Sequence, residues 1–234
     1  MHPKQWGRSF WVFLVAAANN YSTNPLFDEV NKMRRFLMTV GYVLPCKNSC
    51  KPNYLRHLKE YPLADYLVNK DSVKLWLFNI YNLTIINQGR KPLSYSEFIN
   101  KFNVPNPTQD IYITLINVVK EYPEQPSFDD LLTYKNFFVY TKDFLNVFHN
   151  WIDINPYLIT RDSLMKWLLY SIDQCGQKGP ITIENFTDEM EGGDRDKFKL
   201  PNLDLYSNKN LNLNMIALSS IAILLIGYKL RYLN

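Results

Sequence analysis

Leu44-Pro45-Cys46-Lys47-Asn48-Ser49-Cys50-Lys51-Pro52 is the stretch on which the reading of this chain turns. Only one further cysteine, Cys175, occurs in the 234 residues, so these two thiols are a natural pair. Pro45 closes the segment before it. Ser49 suits an N-cap, and Pro52 is tolerated in a first helical turn but not in a helix interior. Cys50 therefore opens a helix, whose positive end favours the thiolate, the reactive form of the side chain. Lys47 and Lys51 act in the same direction, and Cys46, in the turn after Pro45, is expected to be the more exposed thiol. The spacing permits a disulfide, since bridged cysteines accept Cα separations up to about 6.8 Å. It equally suits two small buried apolar side chains, or half of a zinc site. Zinc needs four ligands, and three Cys and three His with no matching second pair speak against a metal.

Outward from this stretch the pattern is helical almost throughout. Upstream, Trp6, Phe10, Phe13, Leu14 and Ala17 recur at helical spacing. A second helix is expected from Asn24-Pro25, with Asn as N-cap and Asp28 and Glu29 in its first turn, carrying Phe27, Val30, Phe36, Leu37 and Val40 toward Pro45. A third runs from about Cys50 to Lys59 and stops before Tyr61-Pro62. A fourth starts near Asp71 with Val73, Trp76, Ile80 and Leu83 on one face. A fifth opens on the capping box Ser94-Tyr95-Ser96-Glu97. Asn103-Val104-Pro105-Asn106-Pro107 then breaks the pattern and suggests a domain boundary. Beyond it, helices are expected over about 109–121, 127–150 with a break near Thr133, and 160–173. No internal repeat and no strand-like alternation is found. The expected fold class is all-α.

Composition narrows the function. The chain is 47% hydrophobic and 15% aromatic, enough for packed cores, and its net charge of +4 is too mild to argue for nucleic acid. Three cysteines are too few for a disulfide-stapled scaffold. Met1 to Arg8 lacks the charged start and apolar core of a signal peptide. Residues 188–210 are rich in Gly, Asp, Lys and Asn and read as a linker. No charged residue lies between Lys209 and Lys229, and Met215 to Tyr228 is nearly all apolar. With Lys229 and Arg231 snorkelling, residues 211–230 approach the length of a transmembrane helix; the other reading is a buried C-terminal helix.

Three stretches together give a resemblance. Trp6-Gly7-Arg8-Ser9-Phe10-Trp11, Leu44-Pro45-Cys46 with Cys50, and Trp76 with Asn82 resemble, in order and spacing over residues 3–102, the Erv/ALR family of FAD-linked sulfhydryl oxidases. The branch most similar is that of large, mimivirus-like DNA viruses. Glu60-Tyr61-Pro62 fits as well. The resemblance implies a helical bundle holding FAD over residues 1–104, followed by an additional helical domain over 108–187, the linker and the tail helix.

It also implies site residues. Cys46 and Cys50 would be the redox pair, with Cys50 next to the flavin and Cys46 exchanging with the substrate. Gly7, Arg8 and Trp11 would lie against FAD, Trp76, Asn79, Asn82 and Asn87 would line it, and Arg90 and Lys91 would meet its pyrophosphate. The departures are an extra residue between the cysteines, and Val15, Asn53 and Tyr81 at positions where the family has histidine. His2, His57 and His149 do not take those places and read as surface or packing residues. Cys175 lacks an intrachain partner for a second shuttle disulfide.

The function so implied is a thiol oxidase that passes electrons from protein dithiols through Cys46 and Cys50 to FAD and then to molecular oxygen. It would be anchored in a membrane by its tail, in a virion or a cytoplasmic viral factory, and able to form a homodimer, with no nucleic-acid partner. The alternative is a flavin-free paralogue that serves as a structural or assembly protein of a virion membrane. A thioredoxin-like carrier is disfavoured by the lack of strands around the cysteines.

Overall fold

Helix α1 (Pro3–Asn19) has no polar face over its second half: Val12, Phe13, Leu14, Val15, Ala16, Ala17 and Ala18 are all buried. A helix that is apolar all round must be surrounded, and α1 is. It packs against α4 (Lys70–Ile86), α5 (Tyr95–Phe102), α6 (Thr108–Lys120) and α7 (Phe128–Phe144). The computed structural model describes residues 3–46, 48–145, 147–148 and 152–173. Lys47, His2, His149, Trp151, Cys175, the linker 188–210 and the apolar segment 211–230 lie outside them. Among the described residues the secondary structure is helical without a strand, and no helix is long and apolar enough to cross a membrane.

Helix α2 (Phe27–Val43) lies along α7 and leads into the cysteine turn; α3 (Cys50–Glu60) packs back on α2. The start of α2 falls two residues later than the sequence suggests. The Glu29 carboxylate accepts from the Leu26 N–H at 2.9 Å, so Leu26 rather than Asn24 takes the N-cap position. A Cβ on Gly41 would stand 2.8 Å from Leu55 Cδ2 and 2.8 Å from Tyr54 Cδ1. The missing side chain is therefore what lets α3 approach α2 and the Tyr54 hydroxyl donate to the Leu37 carbonyl at 2.9 Å.

The remaining ends follow local chemistry. Asn69 caps α4 by accepting from the N–H groups of Asp71 and Ser72. Gly89, at φ +69°, ends that helix in the left-handed conformation that glycine adopts without strain, while the Arg90 N–H closes on the Ile85 carbonyl at 2.9 Å. Ser94 and Glu97 form the expected capping box on α5, and Ser127 and Asp130 form one on α7. Helix α7 runs unbroken through Thr133, because its aromatic stripe is continuous: Tyr134, Phe137, Phe138 and Phe144 are buried.

The helices on the two sides of Asn103–Pro107 pack along each other, α6 on α1 and α7 on α2, and all described helices fall in one compact unit, Met1–Ile183. Phe13 of α1 is the hub, with ring centroids 5.8 Å from Phe36 of α2 and 6.0 Å from Phe137 of α7. Aromatic pairs of this kind each add about 0.5–1.5 kcal/mol beyond the area they bury. Asn20 donates to the Phe144 carbonyl at 2.7 Å and Asn19 to Asn103 Oδ1 at 2.8 Å, which ties the end of α1 to the chain that follows. Helix α8 (Arg161–Asp173) closes the far side, where Trp167 meets Phe138 at 5.0 Å.

Candidate active site

The turn between α2 and α3 holds the two cysteines, and its geometry differs from a simple helix-start picture. Cys50 does begin α3, but the N–H of Cys50 points back at Cys46 Sγ, 3.2 Å away. Ser49 is the N-cap by position, yet its side chain makes no cap hydrogen bond; its Oγ lies 2.9 Å from Cys46 Sγ and 3.8 Å from Cys50 Sγ. The helix start therefore acts on Cys46. Burial pushes the Cys46 thiol up, but hydrogen bonds from Cys50 and Ser49 outweigh it and bring it below the ordinary value. Cys50 moves the other way. Burial, then its hydrogen bond to Cys46 and the charge on that sulfur, push it up to about 12. The two thiols are free and hydrogen-bonded to each other, so their titration belongs to the pair.

The exposures also differ from expectation. Cys46 is 9% exposed, under the turn that Pro45 starts, whereas Cys50 is half-buried. The sequence shows the helix start but not the bend that swings the preceding sulfur beneath it.

Helix α3 carries a buried face one turn apart, Tyr54 and His57, in register with Cys50. Tyr54 meets the Trp76 ring of α4 edge-on at 6.1 Å, and Trp76 Nε1–H donates to the Tyr61 carbonyl at 2.9 Å. Trp76 thus links the cysteine helix to α4. Asn79, one turn on, donates to the Tyr66 hydroxyl at 3.4 Å. Asn82 is committed on both sides of its amide: it donates to the Leu93 carbonyl at 2.9 Å and accepts from the Leu93 N–H at 3.0 Å. Its work is to hold the turn that carries Asn87, Arg90 and Lys91, all three exposed. Trp76 to Asn87 spans eleven residues of helix, about 16 Å, so one ligand touching both ends has to be elongated.

On α1, no atom lies within 4 Å of the position a Gly7 Cβ would take. Arg8 pairs with Asp110 of α6 at 3.1 Å, and the Ser9 hydroxyl donates to the same carboxylate at 2.6 Å. Trp11 is half-buried and stands edge-on to Tyr81 of α4 at 5.2 Å. Tyr81 and Val15, two positions where the Erv/ALR pattern has histidine, are both buried; Tyr81 fills its place with an aromatic ring against Phe98 and Phe102. Asn53 accepts from Arg56 at 3.4 Å.

Some site features were not legible. Ser49 reads in sequence only as a cap, although its place between the cysteines was a signal. His57 reads as packing, but it is 1% exposed. Its Nδ1 lies 3.1 Å from Glu60 Oε2, and its buried Nε2 has no partner among the described residues. Trp6 Nε1 on α1 is likewise buried and without a partner. A buried polar atom left unpaired costs about 1–3 kcal/mol. The open space at Gly7, the half-buried Trp11 and the exposed Asn87, Arg90 and Lys91 leave room for an extended, polar-edged group such as a flavin dinucleotide, whereas Trp76, Trp6 Nε1 and His57 Nε2 are closed to solvent. Among the described residues no cluster of acidic, His or Cys side chains could hold a metal ion.

No family model matches the chain. It is similar to a probable FAD-linked sulfhydryl oxidase of Acanthamoeba polyphaga mimivirus, with 37% identity over 100 residues that cover 42% of this chain and 69% of the relative.

Proposed function

The chain belongs to the FAD-linked sulfhydryl oxidases, with FAD as its cofactor, and on that premise we propose that Cys46 and Cys50 are the dithiol pair through which it forms disulfides in substrate proteins. The observation that carries the proposal is the polarised turn. One sulfur lies 2.9 Å from Ser49 Oγ and receives the Cys50 N–H at 3.2 Å, and its thiol is lowered while the other is raised.

The oxidised pair accepts electrons by thiol–disulfide exchange. A substrate thiolate attacks one sulfur of the Cys46–Cys50 bond; that bond breaks, and the electron pair goes to the other sulfur. The second substrate thiol attacks the mixed disulfide, and its proton passes to Cys50. The substrate leaves with a new S–S bond. Two electrons remain on the enzyme, as a Cys46 thiolate and a Cys50 thiol. The flavin, when bound, supplies a two-electron acceptor that restores the disulfide and hands the electrons to oxygen. Trp11 would offer it an aromatic face, and Arg90 and Lys91 cationic partners for a pyrophosphate. Val15, Asn53 and Tyr81 stand where other members have histidine, which is the feature behind the second reading, a flavin-free structural paralogue. We extend the proposal to membrane attachment on the strength of the charge-free segment between Lys209 and Lys229.

The test is stoichiometric. With a reduced dithiol as substrate, the full-length protein is expected to consume one oxygen molecule for each disulfide formed. Disulfide formation no faster than in buffer, with no oxygen uptake, contradicts the proposal.

A further inference from the structure

One of the three residues between the cysteines places a hydroxyl among the sulfurs. Ser49 Oγ is 2.9 Å from Cys46 Sγ and 3.8 Å from Cys50 Sγ. That side chain is not needed for the helix, because it makes no cap hydrogen bond to α3. A second donor, the N–H of Cys50, meets the same sulfur at 3.2 Å. We propose that Ser49 is a positioning residue for the dithiol pair: its hydroxyl donates to Cys46 Sγ and fixes that sulfur as the one that carries the negative charge in the reduced enzyme. The proposal rests on the reading of Cys46 and Cys50 as the exchanging pair.

The chemistry balances without a further reactant. When substrate has been oxidised and released, both electrons of the broken S–S bond are on the enzyme. One sulfur keeps a proton and one does not. Cys50 keeps it, since its S–H donates toward Cys46; the other proton goes to solvent. Cys46 keeps its lone pair against the Ser49 O–H and the Cys50 N–H. Donors aimed at a charge in a partly dry site are worth more than in water. Burial raises Cys46, and the hydrogen bonds that lower it all come from Ser49 and Cys50. The neighbouring cation, Lys51, is drawn over the Tyr42 ring of α2, 5.7 Å from its centroid. Ser49 is thus the side chain, apart from the partner thiol, that sets which sulfur is nucleophilic when the disulfide is rebuilt.

The experiment measures alkylation of Cys46 by iodoacetamide in the reduced full-length protein, across pH, with peptide mass mapping to separate Cys46 from Cys50. In Ser49→Ala the Cys46 rate at neutral pH is expected to fall about tenfold, the size expected for losing one hydrogen bond to a charged group, with the half-point moved to higher pH. Ser49→Thr keeps a hydroxyl and is expected to restore the parent profile. A Ser49→Ala profile that superimposes on the parent, or a loss that Ser49→Thr does not restore, overturns the proposal. Far-UV circular dichroism of each variant reports the fold, and if Ser49→Ala does not fold, Ser49→Gly takes its place with the same expected loss. The readout needs no flavin, so it separates from the oxidase reading: a colourless protein with an intact Ser49 effect counts against the oxidase alone.

Discussion

Cys46→Ser and Cys50→Ser proteins are each expected to lose dithiol oxidation by a factor on the order of 1000 or more, since either change removes the disulfide that the exchange requires. The two are not expected to be equivalent in what remains. In Cys50→Ser the backbone N–H of position 50 and the Ser49 hydroxyl still meet Cys46 Sγ, at 3.2 and 2.9 Å in the parent. That lone thiol loses the Cys50 side-chain hydrogen bond, the largest of the groups that lower it, but keeps those of the Ser49 hydroxyl and the backbone, so it stays the more readily ionised of the two. In Cys46→Ser the charge and hydrogen bond that helped push Cys50 up to about 12 are gone, but burial, the largest cause, stays. Cys50 therefore remains mostly protonated at neutral pH. Alkylation at neutral pH should be fast in Cys50→Ser and slow in Cys46→Ser, each rising with pH through its own pKa. The reverse order would place the thiolate on Cys50, as helix-start reasoning from sequence alone does. Parent-like turnover in either variant would remove the pair from the reaction.

The second large effect is structural. Trp76 is fully buried, packs edge-on to Tyr54 of α3, and donates to the Tyr61 carbonyl. Trp76→Ala empties the junction between the cysteine helix and α4, and a buried Trp→Ala change costs about 3–5 kcal/mol. That is a large part of the roughly 5–15 kcal/mol that holds a domain folded. Trp76→Phe keeps the packing and loses the hydrogen bond, for about 1 kcal/mol. Urea unfolding followed by far-UV circular dichroism measures both. A Trp76→Ala midpoint no lower than that of Trp76→Phe would mean that this residue does not join the two helices.

The fold was legible where local signals and packing agree. The Ser94–Glu97 capping box starts α5 as expected, and the apolar spacing of Trp6, Phe10, Phe13, Leu14 and Ala17 does mark a buried helix. Asn24-Pro25 misled for a physical reason: the Glu29 carboxylate reaches the Leu26 N–H and moves the cap two residues along. Thr133 misled because a β-branched residue interrupts a helix only if packing does not override it, and Phe137 and Phe138 hold α7 in the core. Asn103–Pro107 reads as a break between two units, but a chain break says nothing about which faces then meet, and α6 lies along α1.

In the site, residue types were readable and roles were not. Both cysteines stand together as their spacing indicates. Which sulfur holds charge depends on the direction of one N–H and one hydroxyl, and that is set by the turn, not by the order of residues. Asn82 reads as a ligand in the sequence, and what the sequence does not show is that its amide also donates to and accepts from Leu93. His57 looked like packing because it sits at no motif position, yet its Nε2 is buried and unpaired among the described residues.

The most direct measurement of the central claim is the visible absorption spectrum of the purified full-length protein, before and after anaerobic addition of dithiothreitol. The account predicts a flavin band at ~450 nm that bleaches when electrons enter through Cys46 and Cys50, with no bleaching in either Cys→Ser variant on the same timescale. A protein that shows no such band even after incubation with FAD contradicts it.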